Sequence, residues 1–245
     1  MLRWTRISKY LILALSYLAM VISSCKEDEQ PVPALETGSL TDIDGNIYKT
    51  VKIGNQWWMA ENLKVSRYSD GSVLPFVQDP VVGWATSSDA YCIYSNAQSV
   101  TGFLYNWNAV SNPAKLAPIG WHIPTDEEWK QLELQLGMSD GQANGTGWRG
   151  SVEGEKLKME GNSGWVFYEN VWNTNESGFA AEAGSCMLFN GKSGDPGLQY
   201  NGFWWSASEH SSTDSWYRHM DYKERRVFRF YGQKKYGFSV RCIKD

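Results

Sequence analysis

Two pairs of neighbouring tryptophans stand close to carboxylate and amide side chains, a combination suited to binding sugars. The residues are Trp57, Trp58, Glu61 and Asn62 in the first group and Trp204, Trp205 and Glu209 in the second. The apolar face of a pyranose ring stacks on an aromatic ring, while its hydroxyl groups need hydrogen-bonding partners. Because neighbouring residues of a strand point to opposite faces, each pair should place one ring in the core and leave the other for a ligand. The alternative is that both rings are buried, since Trp often anchors glycine-rich folds.

The sequence favours a non-catalytic protein. Nucleophilic catalysis needs a base that a third group orients. His122, His210 and His219 lie in separate parts of the chain, and none stands beside a G-x-S-x-G turn. An enzyme remains a less favoured alternative, because its site would have to be assembled from distant residues.

Oxygen-bearing side chains cluster in residues 42–46, which resemble the start of a calcium loop. An EF-hand loop would end on glutamate at its twelfth position, where this chain has Ile53. A hairpin turn on Asp44-Gly45 is therefore the favoured interpretation. We expect no cofactor, although calcium bound by acids of a later loop stays open. Those acids are Asp70, Asp79 and Asp89.

Residues 1–24 have the order of a secretory signal: basic residues, an apolar run and small residues. The run, residues 10–22, is too short to span a bilayer comfortably. Because the segment ends at Cys25, it resembles a bacterial lipoprotein signal. The resemblance implies that Cys25 is lipidated and becomes the first residue of the mature protein. An ordinary signal peptide with an incidental cysteine is the alternative.

Residues 25–40 contain two prolines, several acids and no apolar periodicity, which predicts a flexible acidic tether. Lys26-Glu27-Asp28-Glu29 resembles the surface-export signal of Bacteroidota lipoproteins. The resemblance implies a protein anchored by lipid in the outer membrane and exposed at the cell surface. The membrane is then a partner through the anchor.

The composition limits both the expected partners and the expected fold. Removal of residues 1–24 would change the formal net charge from −4 to −7, and no basic stripe appears, so nucleic acid is not an expected partner. Thirteen Trp and 23 Gly predict short strands, many turns and few helices.

Three cysteines remain once Cys25 is lipidated: Cys92, Cys186 and Cys242. The expected compartment is oxidising, so one disulfide could form. We favour Cys186 with Cys242, because both lie in apparent strands of the C-terminal half. The alternative, in which all three are reduced and buried, stays open.

Local signals predict two elements. Thr125 and Glu128 have the spacing of a capping box, and Gly137 ends the helix that they begin. Residues 47–53 alternate between polar and apolar, and the turn dipeptide Gly54-Asn55 should join them in a hairpin to the strand that begins at Trp57.

Six ordered blocks resemble the Fibrobacter succinogenes major paralogous domain family. They are DIDGNIYKTVKIGNQWWMAENLK from Asp42, FLYNWNAV from Phe103, LAPIGWHIPTDEEW from Leu116, NESGFAA from Asn175, WWSASE from Trp204 and YGFSVRCIKD from Tyr236. The resemblance implies one domain over residues 41–245, usually found in secreted or lipid-anchored proteins, with no established activity to carry over. A more distant likeness to the formylglycine-generating enzyme group implies an α+β, C-type-lectin-like fold with short strands, few helices and long loops.

These observations predict a non-catalytic, surface-exposed lipoprotein that binds an extracellular ligand, most plausibly a glycan. The alternative from another class is a structural or adhesive module that contacts proteins of the cell envelope.

Overall fold

A computed structural model of the chain describes residues 34–93, 101–194 and 199–245. The predicted signal (residues 1–24), the lipidation site Cys25 and residues 26–33 of the predicted tether lie outside the described residues. The first strand begins at Thr37, within the segment predicted as a tether. Within the described ranges, we find no helix with the length and apolar content that crossing a membrane requires.

The described residues form twelve short strands, five short α-helices and one 3₁₀ turn. The strands are β1 Thr37–Thr41, β2 Ile47–Ile53, β3 Gln56–Met59, β4 Tyr91–Cys92, β5 Leu104–Asn106, β6 Trp121–His122, β7 Gly147–Arg149, β8 Asn201–Glu209, β9 Asp214–Asp221, β10 Val227–Gln233, β11 Gly237–Phe238 and β12 Ile243–Lys244. The helices are α1 Pro80–Gly83, α2 Trp107–Ser111, α3 Asp126–Gln135, α4 Asp140–Asn144 and α5 Glu153–Leu157, and the 3₁₀ turn is Trp84–Thr86.

The strands build three antiparallel sheets. Their strand orders are β1-β2-β3-β12-β6, β7-β10-β9-β8 and β11-β5-β4. The last strand, β12, pairs with β3 through Ile243 and Trp58, so the two ends of the domain meet in one sheet. Few helices and many short strands agree with the predicted α+β class.

Both predicted local hairpins of the first sheet are confirmed. Strands β2 and β3 pair up to Ile53 and Gln56, and Gly54 takes a left-handed φ of +59° in the turn. Residues 42–46 turn the chain between β1 and β2. There the Asp42 carboxylate accepts the backbone N–H groups of Asp44 and Asn46, both at 2.9 Å, and so holds the turn itself.

Helix α3 forms as its capping box predicts. The Glu128 N–H donates to Thr125 Oγ1 at 3.2 Å, and the Thr125 N–H donates to Glu128 Oε2 at 2.8 Å. These reciprocal bonds satisfy two N–H groups that the start of a helix leaves without partners. The helix stops before Gly137, whose φ is +117°.

Strand β8 lies between two apolar clusters. Trp205 packs into a cluster that contains Tyr105 and Phe238, whereas Trp204 points to the opposite side and packs with Trp129 and Trp165. The sheet that contains β8 is therefore covered on both faces at this strand.

A buried ion cluster attaches α3 to the four-stranded sheet. Its members are Asp126 and Glu133 of α3, Arg149 of β7, Arg218 of β9 and Arg229 of β10. Glu133 accepts from Arg149 Nη2 at 2.7 Å and from Arg218 Nε at 2.6 Å. Asp126 accepts from Arg218 Nη1 at 2.8 Å and from Arg229 Nη2 at 2.7 Å. Burial would raise the pKa of Asp126, but the hydrogen bonds and charges of Arg229 and Arg218 outweigh it and lower this pKa.

Candidate functional site

Three of the four paired tryptophans lie in the core. Trp58, Trp204 and Trp205 are fully buried, and Trp57 is half-buried. The ring of Trp57 lies over Gly38 of β1. A Cβ built on Gly38 would lie 3.5 Å from this ring. The expectation of one outward ring per pair therefore agrees with the first pair. It is wrong for the second pair, because both faces of β8 lie in the core.

Asn62 is also an interior residue, with 3 % of its surface exposed. Its Oδ1 accepts from Trp204 Nε1 at 2.9 Å and from Arg241 Nε at 2.8 Å. The fold thus brings together two predicted site residues that are 142 positions apart. Their contact is an interior hydrogen bond that connects two distant segments of the chain, and we call it the Asn62 junction.

Arg241 completes this junction, and no carboxylate of the described residues pairs with it. Its guanidinium donates to the carbonyl oxygen of Ala180 at 2.8 Å and to that of Phe179. Burial lowers the pKa of Arg241 to about 9, although the charges of Glu182 and Glu61 oppose the shift. A buried guanidinium held by neutral acceptors depends on each of them.

The two predicted carboxylates lie in different surroundings. Glu61 Oε2 accepts the backbone N–H of Lys49 at 2.6 Å, so it supports the first sheet. Glu209 is exposed and pairs with Lys234 Nζ. Only Glu209 lies near an open cleft.

The predicted disulfide between Cys186 and Cys242 does not form. Both residues are buried and carry thiols, as does Cys92. Burial raises the pKa of Cys242 above its usual range and that of Cys92 to about 12. Both residues of the predicted pair lie in the same apolar cluster, so they contribute to the core as small apolar side chains.

A cleft of about 650 Å³ opens beside the start of β9 and the end of β10. We call it the Phe189 groove; its lining includes Asn108, Phe189, Asp214, Gln233, Lys234 and Lys235. The Phe189 ring is 46 % exposed. It projects from a turn that a Leu188 N–H to Lys192 carbonyl bond closes at 2.8 Å.

The polar groups of the Phe189 groove are partly free to meet a ligand. The Gln233 amide makes no hydrogen bond to any described residue. Asp214 Oδ2 accepts the Thr213 hydroxyl at 2.7 Å, while its Oδ1 has no partner in the same described ranges. Lys234 is paired with Glu209 and Lys235 donates to the Ala85 carbonyl at 3.1 Å. The charges of the two lysines equal those of the two carboxylates, Asp214 and Glu209. With no net charge, the groove suits an uncharged ligand.

His122 lies between two carboxylates. Its Nε2 is 2.8 Å from Glu128 Oε1, and its Nδ1 is 2.7 Å from Asp245 Oδ1. Burial would lower the pKa of His122, but these hydrogen bonds and charges outweigh it and raise the pKa. The ring therefore links β6, the start of α3 and Asp245 through two hydrogen bonds to carboxylates.

We expect the stabilising effect of His122 to disappear as the pH rises. A raised folded-state pKa gives stability that is complete below the unfolded value, about 6.5, and is lost as pH rises through the folded value. His122→Gln should then lower the free energy of unfolding by about 0.5–1 kcal/mol at pH 6 and by less at pH 8.5, since the pair is partly exposed. Urea unfolding of both proteins at each pH measures the difference. An equal loss at both pH values would contradict the prediction.

The other histidines and possible metal ligands are placed as follows. Burial, together with the charge of Lys158, lowers the pKa of His219 to about 3. His210 stacks on Tyr231 with ring centres 3.8 Å apart. In the part of the chain that the structure describes, no three His, Cys, Asp or Glu side chains converge in a way that could hold a metal ion.

Sequence reasoning missed the Phe189 groove and the buried ion cluster. The groove residues come from four separate regions, at 108, 189, 212–214 and 233–235, and no local pattern joins them. The only sequence signal near the groove was Glu209, which its pairing with Lys234 brings to this edge.

The fold defines a strand-rich α+β domain with an aromatic core, and the Phe189 groove is an open polar cleft on its described surface. The Fibrobacter succinogenes major domain matches residues 51–244, so the chain belongs to that family. No curated protein and no solved structure matches the chain.

Proposed function

We propose that this protein is a non-catalytic surface lipoprotein that binds an uncharged extracellular glycan in the Phe189 groove. The observation that carries the proposal is the combination of an exposed ring with free amide and carboxylate oxygens in one cleft. A sugar ring stacks on such an aromatic face and directs its hydroxyl groups to the polar atoms.

Several features support the non-catalytic part of the proposal. Both ring nitrogens of His122 are bonded to carboxylates, which leaves neither as a base. His219 is a half-buried ring with a pKa of about 3, and burial disfavours the thiolate form of Cys92 and Cys242. The short strands and long loops support the C-type-lectin-like fold that the distant family likeness implies.

The proposed location is the outer membrane, with a lipid on Cys25 and the domain at the cell surface. The order of residues in the segment 1–25 and the acids that follow support it. Incorporation of labelled palmitate into the full chain, lost in Cys25→Ala, checks the anchor. Equal labelling of both proteins would contradict it.

The glycan proposal predicts that Phe189→Ala weakens binding about tenfold. Loss of the stacked ring removes about 1.5 kcal/mol of interaction, which corresponds to that factor. The full chain, purified in detergent, is screened on a glycan array, and calorimetry gives Kd for the selected saccharide. Because Phe189 is half exposed, the variant should keep the wild-type Tm.

The matched control is Trp172→Ala, which removes an exposed aromatic ring outside the groove. It should leave Kd unchanged. If no saccharide binds, or if only the Trp172 variant loses binding, the groove is not the glycan site.

A second function, a protein-binding module of the cell envelope, is favoured by one exposed aromatic loop. Phe167, Tyr168 and Trp172 are 59 %, 43 % and 66 % exposed. The backbone of the loop is fixed, since the Trp172 N–H donates to Glu155 Oε1 at 2.6 Å and Val171 is buried. Exposed aromatic side chains on a rigid loop are typical of contact surfaces between proteins. Cross-linking of envelope proteins to the wild type but not to Trp172→Ala would favour this alternative over the glycan proposal.

A further inference from the structure

The hydrogen bonds of Asn62 determine how its amide is oriented. Trp204 Nε1 and Arg241 Nε can only donate, so the atom that both contact is the amide oxygen. The exchange of oxygen and nitrogen that often leaves amide orientation ambiguous is therefore excluded. Nδ2, with its two hydrogens, must point away from both donors.

This Nδ2 is a buried donor with no hydrogen-bond partner in the part of the chain that the structure describes. Leaving such a group unpaired costs on the order of 1–3 kcal/mol, and buried polar groups are nearly always paired with protein or ordered water. The group therefore indicates an acceptor that the described residues do not provide.

Gly184 lies beside this donor and two hydroxyl groups. A Cβ built on Gly184 would lie 3.8 Å from Asn62 Nδ2, 3.7 Å from Thr101 Oγ1 and 3.2 Å from Ser239 Oγ. Gly184 is not among the glycines with a left-handed φ, so the backbone does not require glycine here. A side chain here would press against Ser239 Oγ, whereas glycine leaves three polar atoms near one point.

We propose that one buried water molecule binds above Gly184, where it accepts a hydrogen bond from Asn62 Nδ2 and bonds to the hydroxyls of Ser239 and Thr101. An amide N–H does not ligate a cation, which excludes a metal ion as its partner. The two hydroxyls can donate or accept, so they fit both the lone pairs and the hydrogens of water. The three polar atoms beside Gly184 match the usual number of partners for a buried water.

The site joins segments that are distant in the sequence. Asn62, Thr101, Gly184 and Ser239 come from different parts of the chain, and Asn62 is bonded to Arg241 and Trp204. The water would complete the interior junction that holds these segments together. The proposal does not depend on the Phe189 groove.

The experiment measures contact between water and the Asn62 amide by NMR in the ¹⁵N-labelled full chain in detergent. The two side-chain amide protons are assigned by their absence in Asn62→Asp. We expect cross-relaxation to water with the sign of a long-lived bound molecule, and its loss in Gly184→Ala, whose methyl group occupies the site. Tm of this variant should fall by about 3–10 °C.

Gly141→Ala is the matched control, because a Cβ there meets no atom within 4 Å. It should retain the water signal and the wild-type Tm or a higher one. Absence of the signal in the wild type, or its persistence in Gly184→Ala, would overturn the proposal. If Gly184→Ala does not fold, Ser239→Ala serves instead: a weaker water signal supports the site, and an unchanged signal refutes it.

Discussion

Glu133→Gln is expected to lower the free energy of unfolding by about 3–5 kcal/mol, since it removes one partner of a buried ion cluster. Glu133 is fully buried and binds Arg149 and Arg218. The substitution keeps the size of the side chain but leaves Asp126 as the one carboxylate of the cluster beside three guanidinium groups. Urea unfolding monitored by Trp fluorescence measures the loss.

Glu127→Gln on the same helix is the control for this prediction. Its carboxylate is 73 % exposed and pairs with Lys130 at 2.6 Å. A pair with one exposed partner contributes about 0–1 kcal/mol, and Lys130 Nζ keeps Asp126 Oδ2 at 3.4 Å, so the control should unfold almost as the wild type does. If both variants lose the same small amount, the buried ion cluster does not stabilise the fold as we infer.

Asn62→Leu is the second substitution with a large expected effect, a loss of about 3–5 kcal/mol in the free energy of unfolding. The leucine offers no acceptor to Trp204 Nε1 or to the charged Arg241 Nε, and both donors are buried. The burial that already lowers the pKa of Arg241 to about 9 makes the loss of an acceptor more costly.

Asn62→Asp tests whether the acceptor oxygen alone explains the role of Asn62, because the side chain keeps its size. The aspartate keeps an oxygen at the position of Oδ1 and adds a negative charge beside Arg241. We therefore expect this variant to unfold within about 1 kcal/mol of the wild type, or to be more stable. Thermal and urea unfolding of both variants give the comparison. Equal destabilisation by Leu and Asp would show that packing, rather than hydrogen bonding, determines the role of Asn62.

Elements with local causes could be predicted from the sequence. The capping box of α3 needs only Thr125 and Glu128, three residues apart, and both of its hydrogen bonds form. The hairpin of β2 and β3 needs only the turn at Gly54 and the alternation before it. Such interactions join residues a few positions apart, so the pattern that encodes them is readable in the chain.

The paired tryptophans show what a local sequence pattern cannot predict. Alternation along a strand correctly sends Trp204 and Trp205 to opposite faces. Whether a face is exposed depends on what packs against it, and the strand pattern contains no such information. The same limit applies to the disulfide, because apparent strands cannot show whether two thiols meet in bonding geometry.

The sequence by itself determined the family, the strand-rich α+β class and the elements that capping and turn residues specify. It also predicted the lipidated Cys25, which lies outside the described residues. Only the tertiary structure decided that Asn62 is an interior residue, that three arginines share two carboxylates, and that Phe189 lines a cleft with Asp214 and Gln233. The physical reason is that burial and charge pairing depend on contacts between residues far apart in the chain, which no short pattern can specify.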